Sequence, residues 1–237
     1  METSMKDMDS LRPWSGSLSA EQRFRDRAEA GQLLASELGD FAHRRDVVVL
    51  GLPRGGVPVA SEIARALDVA LDVLIVRKLG MPGHEELAVG AVASGGIRVL
   101  NRQEIRFVSD KQIKETTRRV RREVERQEVI YRKGRPARRL SGQSVILVDD
   151  GAATGATMRA AISAVRAQHP ARLVVALPTA PPETCASLAK SVDELICLIA
   201  PTLFFSVGQW YDDFSPCTDD EVCELLDGLE KPVESGA

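Results

Sequence analysis

Two periodicities alternate along the chain. Short, predominantly apolar runs bounded by turn residues read as buried strands, and apolar residues spaced three and four apart read as helices packed on one face. The runs Val47–Leu50, Leu71–Val76, Val145–Val148, Leu173–Leu177 and Val192–Ile199 predict five strands. Helical stripes fall at Ala60, Ile63, Ala64 and Leu67, at Met158, Ala161, Ile162 and Val165, and at Val222, Leu225, Leu226 and Leu229. An earlier stripe (Phe24, Ala28, Gly31, Ala35, Leu38 and Ala42) predicts a first helix that covers an edge or face and carries no chemistry. Pro181-Pro182 opens a short helix, where a missing N–H costs little. Ser109 with Gln112, and Thr218 with Glu221, have capping-box spacing and mark two further helix starts. Residues 1–19 show no periodicity and read as a loose tail, leaving 20–230 as one domain.

Composition narrows the class. The chain has 237 residues and 44% hydrophobic content, enough for the core of a single α/β domain. Four cysteines without a C-x-x-C pair and three scattered histidines argue against zinc and for free thiols in a reducing compartment. No run approaches eighteen apolar residues, so a soluble, cytoplasmic protein is expected. Charge is unevenly spread: residues 102–139 hold 14 basic and 6 acidic side chains, a local net of +8 that leaves −11 for the remainder of a chain totalling −3. Ile113, Thr117, Val120, Val124, Gln127 and Tyr131 form a narrow seam on a long charged helix of about 109–133. Interleaved Glu and Arg and the scarcity of aromatics favour a solvated or subunit-facing helix over one that grips nucleic acid.

The chemistry gathers at VILVDDGAATGAT, residues 145–157. A strand ends at the carboxylates Asp149 and Asp150, a small-residue loop follows, and a helix begins. Gly151, Ala152, Ala153, Gly155 and Ala156 let backbone N–H groups approach a phosphate, while Thr154 and Thr157 add hydroxyls. The helix start favours an anion by roughly 0.3–1 kcal/mol. The carboxylates instead suit hydrogen-bond donors, and a ribose diol is the natural candidate. No Lys follows Gly155, so this is not a nucleotide P-loop. A second cradle, Gly51 to Ala60, follows the Val47–Leu50 strand and carries Arg54, Gly55 and Gly56.

Residues 145–157 resemble the phosphoribosyl pyrophosphate (PRPP) signature of type I phosphoribosyltransferases. The resemblance covers roughly residues 45–215, and the arrangement is most similar to bacterial members whose acceptor is unassigned. It implies an α/β fold with a mainly parallel central sheet flanked by helices, a small hood at about 200–217 and a flexible lid at 79–96. It also implies a Mg²⁺-dependent transfer from PRPP to a nitrogen acceptor, a nucleobase, with the ion held mainly by ligand and water. Asp149 and Asp150 would hold the ribose, and residues 151–157 the 5′-phosphate. Arg54, Gly55, Gly56, Arg77 and Lys78 would face pyrophosphate, with a cis peptide between Pro53 and Arg54. The lid spelling, Arg77-Lys78 followed by Pro82-Gly83, is similar to adenine phosphoribosyltransferase. The hood spelling, Phe205 before Val207-Gly208, resembles hypoxanthine-guanine phosphoribosyltransferase. Phe205, Val207 and Trp210 are thereby candidates for the base. Oxopurine enzymes carry an acidic residue where Ala153 stands, whereas adenine enzymes draw the acid/base carboxylate from the lid, which makes Glu85 or Glu86 the candidate. The acceptor stays open. A homodimer is the expected assembly, and the rival reading is a PRPP-sensing regulator that binds RNA or DNA through the basic helix.

Overall fold

The apolar runs become the strands of one sheet. The computed structural model describes residues 22–81, 84–100 and 108–229, with the side chains of 81–88 outside the description. The tail expected at 1–19 lies outside the described residues. Strands β1 (Val47–Gly51), β2 (Ala70–Val73), β6 (Ser144–Val148), β7 (Arg172–Thr179) and β8 (Glu194–Ile199) pair in parallel in the order β2-β1-β6-β7-β8. Strand alternation divides their side chains between two cores. Val47, Val49, Ile146, Val148, Val174 and Ala176 meet α1 (Arg27–Glu37), α2 (Gly56–Leu67) and α6 (Asp219–Gly228). Val48, Leu50, Val145, Leu147, Val175 and Leu177 meet α4 (Ala156–Arg166) and α5 (Pro182–Ala189) on the other face. This is the expected α/β architecture with helices on both sides.

The connection that leaves β1 runs outward to β2, and the one that leaves β6 runs the opposite way to β7. Gly51 pairs with Val148 at the ends of the two central strands. Their carboxyl ends therefore flank the point where strand order reverses, the place where open α/β sheets bind ligands. Both small-residue loops lie there.

The predicted Leu71–Val76 strand is two strands in two sheets. β2 ends at Val73; after Leu74 and Ile75, Val76 opens β3 (Val76–Met81), which pairs antiparallel with β4 (His84–Ala93) and through it with β5 (Ile97–Leu100). Leu74 N–H donates to Gly51 O and Ile75 N–H to Ser94 Oγ, so the chain changes partners between them. All six residues are buried, and the continuous apolar run from Val73 to Val76 gives no sign of the break. Arg77 and Lys78 consequently lie inside a strand instead of closing one. The lid segment builds this hairpin sheet, and its Pro82 and Gly83 lie outside the described residues.

The long charged helix is α3 (Asp110–Arg132), started by the predicted Ser109–Gln112 box. More than a solvated rod, it buries Val120, Val124 and Tyr131 against β3, β4 and α6. Arg132, itself buried, closes its end. The guanidinium donates to both oxygens of Asp72 at 3.2 and 3.3 Å, to Val73 O at 2.6 Å and to Glu128 at 2.6 Å. Glu128 also accepts from Gly95 N–H at 3.0 Å, tying the turn after β4 to the same helix.

Candidate active site

Each site residue follows from a local rule. β6 delivers Asp149 and Asp150 to the sheet's carboxyl edge, and Gly155 caps α4 with φ +67°, a left-handed conformation that favours glycine. The loop is held from below, since Ala152 N–H donates to Thr179 O at 3.0 Å and Thr184 Oγ1 to Ala153 O at 2.7 Å. Ala153, Thr154 and Thr157 stay exposed at its tip, beside the first-turn N–H groups of α4 that no intrahelical carbonyl can satisfy. This is an open anion cradle.

The second loop touches the first. A Cβ on Gly55 would sit 1.9 Å from Asp150 Oδ2, and one on Gly56 would sit 2.7 Å from Val148 O. Both glycines are there for space, because the loop after β1 passes directly under the acidic pair. The Pro53–Arg54 peptide is cis, as the resemblance implied. Arg54 projects exposed from this loop.

The acidic pair is nearly enclosed. Burial and the neighbouring Asp150 charge push the Asp149 carboxyl well above the usual carboxylate range. Burial also raises Asp150, against the opposing pull of Arg27. Arg27 Nε donates to Asp150 Oδ2 at 2.9 Å, with the two side chains 13% and 15% exposed. The same guanidinium donates to Ser215 O at 2.8 Å and lies 4.0 Å from the centroid of the Phe214 ring. Tyr211 Oη donates to Asp150 O at 2.6 Å, and burial raises its phenol. The first helix does more than cover a face, since its first residue grips an acid of the central motif.

The remaining candidates are distributed unevenly. Arg77 is half-buried, its guanidinium donating to Gln127 Oε1 of α3 at 3.0 Å. Lys78, next in the strand, projects from the opposite face and is exposed. Arg54 and Arg77 both lie near enough to Tyr131 to pull its phenol down electrostatically, against the larger effect of burial. In the hood, Val207 packs on the central loop, with its Cγ1 2.6 Å from where a Cβ on Gly151 would lie. Phe205 is 87% exposed. Trp210 instead turns into the core, where it stacks on Phe204 at 6.2 Å and its Nε1 has no partner. Glu85 and Glu86 lie in β4, and their side chains are outside the described residues. Sequence reasoning missed Arg27, Tyr211 and Thr184. Tyr211 had a signal, its place in a loop that gathers five aromatics (Phe204, Phe205, Trp210, Tyr211 and Phe214); Arg27 had none, being 123 residues from its partner.

An anion cradle, a pair of carboxylates and a second glycine loop with arginine can together grip a sugar bearing phosphates at both ends. Two strains of Mycobacterium tuberculosis hold relatives, Rv0571c and MT0597, provisionally named as phosphoribosyl transferases. Each is 44% identical over 225 residues, covering 90% of this chain and 49% of the relative. The chain thus spans about half the length of the curated relatives it matches. The crystal structure of TT1426 from Thermus thermophilus superposes with a TM-score of 0.82 at 43% identity, covering 89% of this chain and 100% of that one. Residues 25–213, a span that reaches from just before Arg27 to the aromatic loop, match the phosphoribosyl transferase domain, and the chain belongs to that family of type I phosphoribosyltransferases.

Proposed function

We propose that this protein transfers the 5-phosphoribosyl group of PRPP to a nitrogen acceptor of the nucleobase class and releases pyrophosphate. The observation that carries the reading is the contact between the two glycine loops, Gly55 against Asp150, at the point where strand order reverses. It sets the loop 151–157 and the arginine-bearing loop on either side of the two carboxylates. In this reading Asp149 and Asp150 accept from the ribose hydroxyls, residues 151–157 hold the 5′-phosphate, and Arg54, Gly55 and Gly56 face pyrophosphate with Arg77 and Lys78. The bond from C1 of the ribose to the pyrophosphate oxygen breaks, its electron pair leaving with pyrophosphate, and the acceptor nitrogen forms the new bond to C1. The proton that nitrogen gives up goes to Glu85 or Glu86. Cations along the leaving group stabilise charge as it develops. Water would capture the oxocarbenium-like sugar, which is the reason for a hairpin that closes over it.

Among the described residues no three His, Cys, Asp or Glu side chains converge as a metal cage, and Asp150 is already engaged by Arg27. Magnesium is proposed to come with PRPP, where it would be held mainly by the ligand and water and would neutralise leaving-group charge. Val207 and exposed Phe205 are proposed to meet the base, with Trp210 behind them.

The test is pyrophosphate release from PRPP and Mg²⁺ across a panel of nucleobases and amines. Release with one acceptor class supports the transferase; PRPP binding without release from any acceptor refutes it. One observation favours a second reading, a PRPP-responsive regulator: Lys111, Lys114, Arg118 and Arg122 form an exposed basic crest on α3. Nucleic-acid affinity falling steeply with salt would favour it. Glu115 and the Arg121–Glu125 pair interrupt that crest, and the transferase is preferred.

A further inference from the structure

Arg27 is an unexpected cation. It occupies the first turn of α1, where the helix dipole disfavours positive charge, and the Asp26 side chain caps that turn by accepting from Glu29 N–H. Three contacts nevertheless fix its guanidinium: Asp150 Oδ2 at 2.9 Å, Ser215 O at 2.8 Å and the face of Phe214 at 4.0 Å. A side chain so held is placed before any ligand arrives. What it serves is an awkward arrangement, two adjacent carboxyls largely withdrawn from water. From β6 the group facing Asp150 is Asp149, whose Oδ1 accepts the Asp150 N–H at 3.0 Å. From the hood come the Tyr211 phenol, donating to the Asp150 carbonyl, and Asp213 near Arg27. From α6 comes Glu221, also within reach of Arg27, and from the loop after β1 comes Gly55, beside Arg54. Among these groups Arg27 alone brings a positive charge into contact with the pair.

We propose that Arg27 is the positioning residue of the PRPP site, fixing the Asp150 carboxylate in both place and charge so that it can accept from the sugar diol. The inference rests on the transferase reading. Arg27 takes Oδ2 and, with Gly55 pressed on that same oxygen, sets the direction in which Oδ1 points. Without the guanidinium, burial favours the protonated acid, which accepts poorly from a hydroxyl.

The experiment uses the whole chain and three variants, Arg27→Met, Arg27→Gln and Arg27→Lys. The carboxyl ¹³C resonance of Asp150 in aspartate-labelled protein, assigned with Asp150→Asn, is titrated without ligand. Calorimetry then measures PRPP binding with Mg²⁺ from mildly acidic to mildly alkaline pH. In the neutral variants Asp150 should titrate at higher pH than in the parent. PRPP binding should weaken about tenfold or more at neutral pH, as expected for the loss of one close opposite charge, and recover as pH rises. Arg27→Lys should restore most of the affinity. A merely structural defect would lower affinity alike at every pH. Arg27→Gln keeps a donor for Ser215 O and serves if Arg27→Met does not fold. A folded neutral variant with the parental titration and the parental affinity overturns the role of Arg27 alone. A parent chain that binds no PRPP overturns the transferase reading and this role with it.

Discussion

Gly55→Ala tests the meeting of the two loops without replacing a charged group. The backbone at Gly55 is right-handed helical, φ −60° and ψ −30°, so alanine meets no conformational penalty there. The obstacle is space: the new methyl would lie 1.9 Å from Asp150 Oδ2 and 2.6 Å from its Cγ. The carboxylate must therefore retreat by about 1 Å or rotate away, and such overpacking costs about 1–3 kcal/mol. Movement of Oδ2 breaks the 2.9 Å bond from Arg27, a charged hydrogen bond worth roughly 1.5–3 kcal/mol. Stability should fall by about 1–3 kcal/mol, read from the midpoint of a urea titration with unchanged slope. PRPP affinity should fall by about tenfold or more, since the displaced carboxylate no longer faces the diol. The control is Gly39→Ala, where nothing lies within 4 Å of the added methyl and both measurements should stay parental. A Gly55→Ala protein that unfolds and binds PRPP like the parent would refute the argument, because the two loops could not then meet as described.

Four further outcomes are expected. Asp150→Asn keeps the shape of the acceptor and should weaken PRPP binding by roughly 1.5–3 kcal/mol in calorimetry; parental affinity would move the ribose elsewhere. Asp149 titrates above its unfolded value, so the native state holds the extra proton, and stability falls as pH rises from roughly 3.9 through the raised native value. Asp149→Asn should reduce that fall, and thermal midpoints with an unchanged pH slope would contradict the assignment. Arg132→Met leaves Asp72 and Glu128 without their buried cation and should cost about 3–5 kcal/mol in urea melts; a parental midpoint would show the cluster to be dispensable. Replacing Glu85 and Glu86 together by Gln should spare PRPP binding and lower turnover about 10²–10⁴-fold, and turnover at the parental rate would remove both from proton transfer.

What the sequence revealed was short-ranged. Residues 145–157 announce a strand, two acids, a loop and a helix because each is set by neighbours a few positions away, and the structure has them all. The boxes at Ser109–Gln112 and Thr218–Glu221 cap α3 and α6 for the same reason. The break at Leu74–Ile75 was hidden because burial on both sides of it erases any change of period. Arg27 was hidden because its meaning lies across the fold: an arginine on a helix's polar side looks solvated until Asp150 and Phe214 come to meet it. Trp210 is the converse case. An aromatic in a dense cluster suggests a platform for a ligand, yet packing on Phe204 takes the ring inward while its neighbour Phe205 stays out.

The joint at Leu74 and Ile75 has a mechanical consequence. It is bonded to β1 through Gly51 O, to the end of β4 through Ser94, and strapped by Arg132 on Val73 O, so it behaves as a stiff wrist between the two sheets. Arg77 follows the wrist by two residues, a lever arm of about 7 Å, whereas Met81 lies about 20 Å out along the strand. A ten-degree swing would carry Arg77 about 1 Å and Met81 about 3.5 Å. A swing about this joint would therefore carry the end of β3 about three times as far as the arginine near its base.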